Sequence, residues 1–224
     1  MLSPKQLHAW NVSPCRAVAI QRELAPRVIR RAPRRELRLV AGVDAAFSRD
    51  GKRCVAGVVL WDMHARREVE SHTASRPLVF PYVPGLLSFR EAPAVLAALS
   101  ELDQEPDVIM CDGQGLAHPR RLGIACHVGV FVDLPSVGCA KSRLVGTHRT
   151  PGFRRGATVR LIDRGEIIGC VLRTRDNVRP LYVSIGHRLD LETARRLVLR
   201  CGGGFRLPEP TRRADHLVSM ESKL

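Results

Sequence analysis

Residues 37–61, LRLVAGVDAAFSRDGKRCVAGVVLW, decide how the chain folds. Leu37–Phe47 is an apolar, β-prone run. Arg49-Asp50-Gly51 follows as a turn, and an Asp-Gly pair favours a tight hairpin. Cys54–Trp61 reads as the returning strand. Asp62–Arg67 is polar, and Glu68–Ser75 alternates like a third strand. Three consecutive strands with short connections predict an antiparallel meander.

Downstream the pattern changes. Pro81–Gly85 is a rigid turn, and Ser88 opens a helix that runs to about Leu102 before Pro106. Glu91 stands three residues after Ser88, the spacing of a capping box. Asp107–Cys111 is a short buried strand that ends at Asp112-Gly113-Gln114-Gly115. Arg121–Val130 has the character of a helix and Ser136–Ala140 that of a strand. Strand and helix thus alternate as a parallel βαβ unit requires. Residues 157–163, 166–174 and 181–185 read as further strands, with Arg164-Gly165 as a turn. Leu189–Cys201 is an amphipathic helix closed by three glycines, and Thr211 is placed to cap a last short helix. Upstream, residues 12–36 are helical in part, with Ala17–Leu24 the best stretch and Pro26 and Pro33 as breaks. The expected class is α/β: a mixed central sheet, meander first and parallel strands second, flanked by helices.

At 224 residues the chain suits one large domain, expected over residues 15–224, with residues 1–14 disordered. Apolar residues make up 45% and aromatics 4%, so the core is aliphatic. The net charge of +14 points to a polyanionic partner. Of 36 basic residues only four are Lys. That bias suits bidentate phosphate contacts, and it equally suits a genome rich in G and C. Seven cysteines without a C-x-x-C pair read as reduced thiols and lack the usual spacing of a zinc site. No apolar run of about 18 residues exists, which removes a membrane span. No apolar h-region follows the N-terminus, so a cytoplasmic protein is expected, with a monomer as the default.

In a chain this basic, acids inside apolar strands need a reason. Asp44 lies in Leu39–Phe47 and Asp112 ends Val108–Cys111. A carboxylate there is unfavourable unless it is paired or binds a metal. Glu91 sits in the first turn of the intervening helix and Asp215 in the last helix. Four carboxylates from strand, helix, strand and helix can converge on one or two Mg²⁺ ions, with Mn²⁺ as a substitute. Such a centre activates water for phosphodiester cleavage. The ordinary alternatives are turn capping, pairing with Arg and, for Glu91, the capping box.

Three long segments narrow the choice: Pro81–Glu91 (PYVPGLLSFRE), Asp112–Ala125 (DGQGLAHPRRLGIA) and Pro135–Leu144 (PSVGCAKSRL). With Ala41–Asp44 and Leu207–Arg212 they resemble endonuclease V, the deoxyinosine-directed repair nuclease, over about residues 15–220. The resemblance implies a ribonuclease-H-like fold and Mg²⁺-dependent hydrolysis of the second phosphodiester bond 3′ to inosine. It makes Asp44, Glu91 and Asp112 the metal-site carboxylates, with Asp215 rather than His216 as the fourth. Tyr82, held between two prolines, becomes a wedge that fills the gap left by an unstacked base. Gly85, Leu87, Gly113 and Gly123 fall around the base pocket. Lys141 becomes the active-site lysine, holding the phosphate or the attacking water. His118 contacts phosphate or supports its loop, and Arg90 and Arg143 contact the backbone.

Competing readings share the basic surface. One is the same chemistry on inosine-containing RNA, decided by contacts to the 2′-hydroxyl. Another is a non-catalytic nucleic-acid-binding module, which predicts loss of Asp44, Glu91 or Asp112, and all three are present. A junction resolvase would dimerise and lack the Pro-Tyr-x-Pro motif.

Overall fold

The computed structural model describes residues 2–221. Its opening stretch forms β1 (Leu39–Phe47) and β2 (Arg53–Asp62), paired antiparallel along their whole length. Gly51 takes the left-handed turn position at φ +69°, and Asp50 Oδ1 accepts from the Ser48 hydroxyl and the Lys52 amide. β3 (Arg67–Pro77) completes the meander. β4 (Val108–Cys111) and β5 (Ser136–Ala140) add in parallel to β1, and β6 (Thr158–Asp163), β7 (Glu166–Leu172) and β8 (Leu181–Ile185) close the other side antiparallel. The sheet order is β3-β2-β1-β4-β5-β8-β7-β6, the mixed sheet that the strand pattern predicts.

Among the described residues five α-helices cover it. α1 (Pro14–Leu24) starts at Ser13, whose Oγ accepts from the Arg16 amide, and ends in a tight turn at Ala25–Arg27. α2 (Ser88–Ser100) and α3 (Ile124–Val132) pack on each other and on the sheet, α4 (Leu191–Arg200) lies on β7 and β8, and α5 (Glu209–Glu221) lies on β1 and β2. Among the described residues no helix is long and apolar enough to cross a membrane.

Four sequence expectations change. α3 begins at Ile124, not Arg121, because Arg121 is left-handed at φ +56° and cannot continue a helix. α5 starts before Thr211 and runs 13 residues; Thr211 sits inside it and its hydroxyl donates to Pro208 O. The capping box does not form, since the N-cap is Leu87 with no side-chain bond. Residues 2–13, expected to be disordered, carry no helix or strand but are packed. Lys5 N–H donates to Phe131 O, and the Trp10 ring lies 4.9 Å from that of Phe131. Burying an indole face on α3 holds this segment.

The parallel register brings the acids together. Val43 pairs with Cys111 and Cys111 with Gly138, so Asp44 and Asp112 are neighbours on one face of the sheet. Lys141 follows β5 on that same face. Gly42, two residues before Asp44, lies under Pro210 at the start of α5: a Cβ there would stand 2.2 Å from the Pro210 carbonyl carbon. That close approach lets α5 lie down on β1. Gly42→Ala is expected to cost about 1–3 kcal/mol in urea unfolding, as overpacking does, and to lower activity by shifting the helix that carries Asp215.

Candidate active site

Asp44 Oδ1 accepts from the Ala45 amide. Single carboxylate oxygens of Asp44, Asp112 and Asp215 all lie within 4.8 Å of one another. Burial, then the charge of Asp112, pushes the Asp44 carboxyl up to about 8. Glu91 faces the same cluster from the first turn of α2; burial, then Asp44 and Asp112, pushes it to about 8 as well. Asp112 is also raised by burial, with Lys141 pulling against it. Lys141 Nζ stands 2.6 Å from Asp112 Oδ2 and 3.0 Å from Asp215 Oδ1. Burial opposes its charge, yet the two carboxylates raise its affinity for the proton. A lysine ammonium therefore bridges carboxylates that otherwise repel each other. His216, the alternative to Asp215, faces a different cleft beside Val59 and Glu68.

A cavity of about 380 Å³ adjoins this cluster. Asp112 and Lys141 line it, together with Gln21, Gly85 and His118. Leu87, Gly113, Gly123 and Arg143 complete its expected wall, with Tyr82 at the rim. Phe80 and Leu86 are buried and anchor the intervening loop, which leaves Tyr82 72% exposed. Arg90 does not line the cavity. Its Nη1 donates to Phe80 O and its guanidinium lies 4.6 Å from the centre of the Phe47 ring, so it braces the Tyr82 loop.

His118 is buried and supports its neighbour rather than facing solvent. Its Nδ1 accepts from the Arg120 amide, which leaves Nε2–H to donate to Gly85 O. Gln21 Nε2 and Arg120 Nη2 donate to the same carbonyl. Three donors thus lock a peptide at φ +78°, where a side chain would strain the backbone. The amides of Gly113 and Gly123 are also occupied, donating to Cys111 O and Gly115 O. The amides of Leu87 and Ser88, at the start of α2, make no hydrogen bond among the described residues.

Ser88 belongs to a relay that the sequence concealed. His8 Nδ1–H donates to Ala9 O, so neutral His8 offers Nε2 as an acceptor. His127 Nε2–H donates to it, and the Ser88 hydroxyl donates to His127 Nδ1, each at 2.8 Å. Gln114 Nε2 holds the far wall by donating to Ser142 O. Gln21, Arg120 and Gln114 carry no local sequence signal for these roles, because their partners lie 28 to 101 residues away.

The profile of the Endonuclease V family matches residues 22–216. Endonuclease V of Roseiflexus sp. is 53% identical over 210 residues, covering 94% of each chain. The structure of Streptomyces avermitilis endonuclease V superposes with a TM-score of 0.90 at 42% identity, covering 95% of this chain and 94% of that one. Ciona intestinalis endonuclease V, at 26% identity and a TM-score of 0.80, covers 92% of this chain and 96% of its own; it was solved with a 24mer DNA containing an inosine followed by a ribo-adenosine. With identity above one half across nearly the full length, this chain belongs to the endonuclease V family of nucleases.

Proposed function

We propose that this chain hydrolyses DNA at inosine, cutting the second phosphodiester bond on the 3′ side in a Mg²⁺-dependent reaction. One observation carries the reading: a cavity roomy enough for a base is lined by Lys141 and by Asp112, one of three converging aspartates. The DNA-bound Ciona relative supports inosine as the occupant. The donors fit a hard divalent cation, being all carboxylate oxygens whose mutual repulsion a cation relieves. Asp44, Asp112 and Asp215 would hold it, with Glu91 behind them. Such an ion supplies Lewis-acid chemistry and an acidified water.

The chain's own groups do the rest. Lys141 presents an ammonium to the scissile phosphate. The free amides of Leu87 and Ser88 meet the O6 acceptor of hypoxanthine at the positive end of α2. The amine of adenine at that place would set donor against donor. The Ser88 hydroxyl proton is committed to His127, so toward the base its oxygen is an acceptor. Tyr82 fills the space the base leaves, and Arg143 stands exposed at the cavity mouth for the backbone.

End-labelled strands carrying one deoxyinosine, with Mg²⁺ or EDTA, test this, and matched inosine RNA is the second arm. A Mg²⁺-dependent nick one nucleotide beyond the lesion supports the reading. Cutting of RNA alone redirects it to RNA, and binding without cutting of either leaves a binding module. Tyr82→Ala is expected to leave the melting temperature unchanged, because the ring is exposed. Its cleavage of inosine duplex should fall roughly 5- to 100-fold, the value of one stacking contact, and less on single strands, where the gap is already open.

A further inference from the structure

A second cavity, about 590 Å³, lies among the end of α1, the Pro119–Arg121 loop and the β6–β7 turn. Arg22, Arg30, Arg120, Arg121 and Arg164 line it. Two carboxylates answer them. Glu166 pairs with Arg30 at 2.6 Å and Arg121 at 2.7 Å. Asp163 pairs with Arg121 at 2.8 Å and lies 4.0 Å from Arg164. The Arg22 side chain, in the last turn of α1, has no hydrogen bond or ion pair among the described residues. Arg120 bonds only neutral groups, Gln21 Oε1 and the Gly85 carbonyl. Burial and then the charge of Arg22 make its positive charge less favourable than usual. The groove is cationic, roomy and short of counter-charge, and guanidinium forks match phosphate oxygens.

Its position says which phosphates. Arg120 and Gln21 both end on Gly85 O, so the groove and the base cavity share a wall. Asp112 and Lys141 also line the base cavity. The base cavity therefore adjoins both the groove and the carboxylates. We propose that the groove holds the phosphate backbone of the lesion strand on the 5′ side of the base. The polarity rests on the cut falling on the 3′ side, as proposed above; the phosphate contact itself does not. Because Arg120 touches both places, backbone docking and base entry share one side chain.

The test is an Arg22→Ala/Arg164→Ala double variant, with Arg200→Ala of α4 as the control for general charge loss. Anisotropy titrations on undamaged and inosine-containing duplexes, from 50 to 200 mM NaCl, give the slope of log K against log salt. The double variant should bind both about 10-fold more weakly at 100 mM salt, with a slope shallower by roughly 1.5–2, as two lost phosphate contacts require. Arg200→Ala should keep the wild-type slope. On inosine strands truncated just 5′ of the lesion, wild type and double variant should bind alike. Truncation on the 3′ side, or removal of the complementary strand, should leave their difference intact. A slope equal to wild type overturns the proposal. So does a difference that survives 5′ truncation or vanishes with the 3′ flank or the complement. Undamaged DNA reports on the groove even if inosine is not the substrate, so the two readings fail separately.

Discussion

An Asp44→Asn variant is expected to cut inosine-containing DNA about 1,000-fold more slowly than wild type, roughly 4 kcal/mol of barrier, while binding it within about threefold. The side chain keeps its shape and its place on β1, but loses the charge that a cation needs. Folding should move the opposite way. The folded carboxyl of Asp44 is raised to about 8, well above an unfolded aspartate. Its stabilising contribution, as a neutral buried acid, is complete below pH 4 and is lost as pH rises through 8. At pH 8.5 the metal-free wild type thus holds a charge repelled by Asp112, and the amide of the variant removes it. The metal-free variant should melt higher than metal-free wild type, and Mg²⁺ should stabilise wild type far more than the variant. A variant that melts lower and binds DNA poorly would mark Asp44 as structural. One that keeps its activity would remove it from the metal site.

That aspartate was legible because an acid in an apolar strand demands an explanation, and its neighbour Asp112 because strands β1 and β4 pair in parallel. The meander and the βαβ alternation were legible for the same reason: periodicity and turn chemistry are local. What escaped was non-local. Ser88 and Glu91 have the spacing of a capping box, yet the Ser88 hydroxyl goes to His127, and Glu91 faces the aspartates. Gln21 looks like any polar residue of an amphipathic helix until Gly85 O arrives beside it. Arg90 reads as a backbone contact from motif alone, whereas packing turns it toward the loop that carries Tyr82; His118, read as a phosphate contact or a support for its loop, takes the second role. The Arg-rich stretch 27–38 is partly neutralised: Arg30, Arg35 and Arg38 pair with Glu166, Asp107 and Asp62. A charge count cannot show such pairing, because the acids come from distant parts of the chain.

The Mg²⁺ requirement should depend steeply on pH. Asp44 and Glu91 both titrate near 8 in the metal-free protein, because burial and mutual repulsion favour their neutral forms. Coupled groups lose protons in macroscopic steps that belong to the set, so the cation competes with the protons of the whole cluster. Below pH 8, each proton that must leave weakens binding about tenfold per pH unit. From pH 6.5 to 8 the half-saturating Mg²⁺ concentration should therefore fall at least about 15-fold, the value for one proton on a group that titrates at about 8, and then level off. Half-saturation, not rate, is the quantity to follow, because hydroxide also raises the rate at every Mg²⁺ level. Glu91→Gln removes one of the two high-lying acids. Its Mg²⁺ dependence should be shallower with pH, even though its maximal rate falls. Metal-free stability gives an independent reading. In wild type it should decline between about pH 4.5 and 8, with a slope of up to about 1.4 kcal/mol per unit for each group. In Glu91→Gln the decline should be smaller. A half-saturating Mg²⁺ concentration that stays constant from pH 6 to 8 would mean that neither carboxyl holds a proton when the cation arrives. In that case Lys141, already bridging Asp112 and Asp215, keeps the cluster ionised by itself.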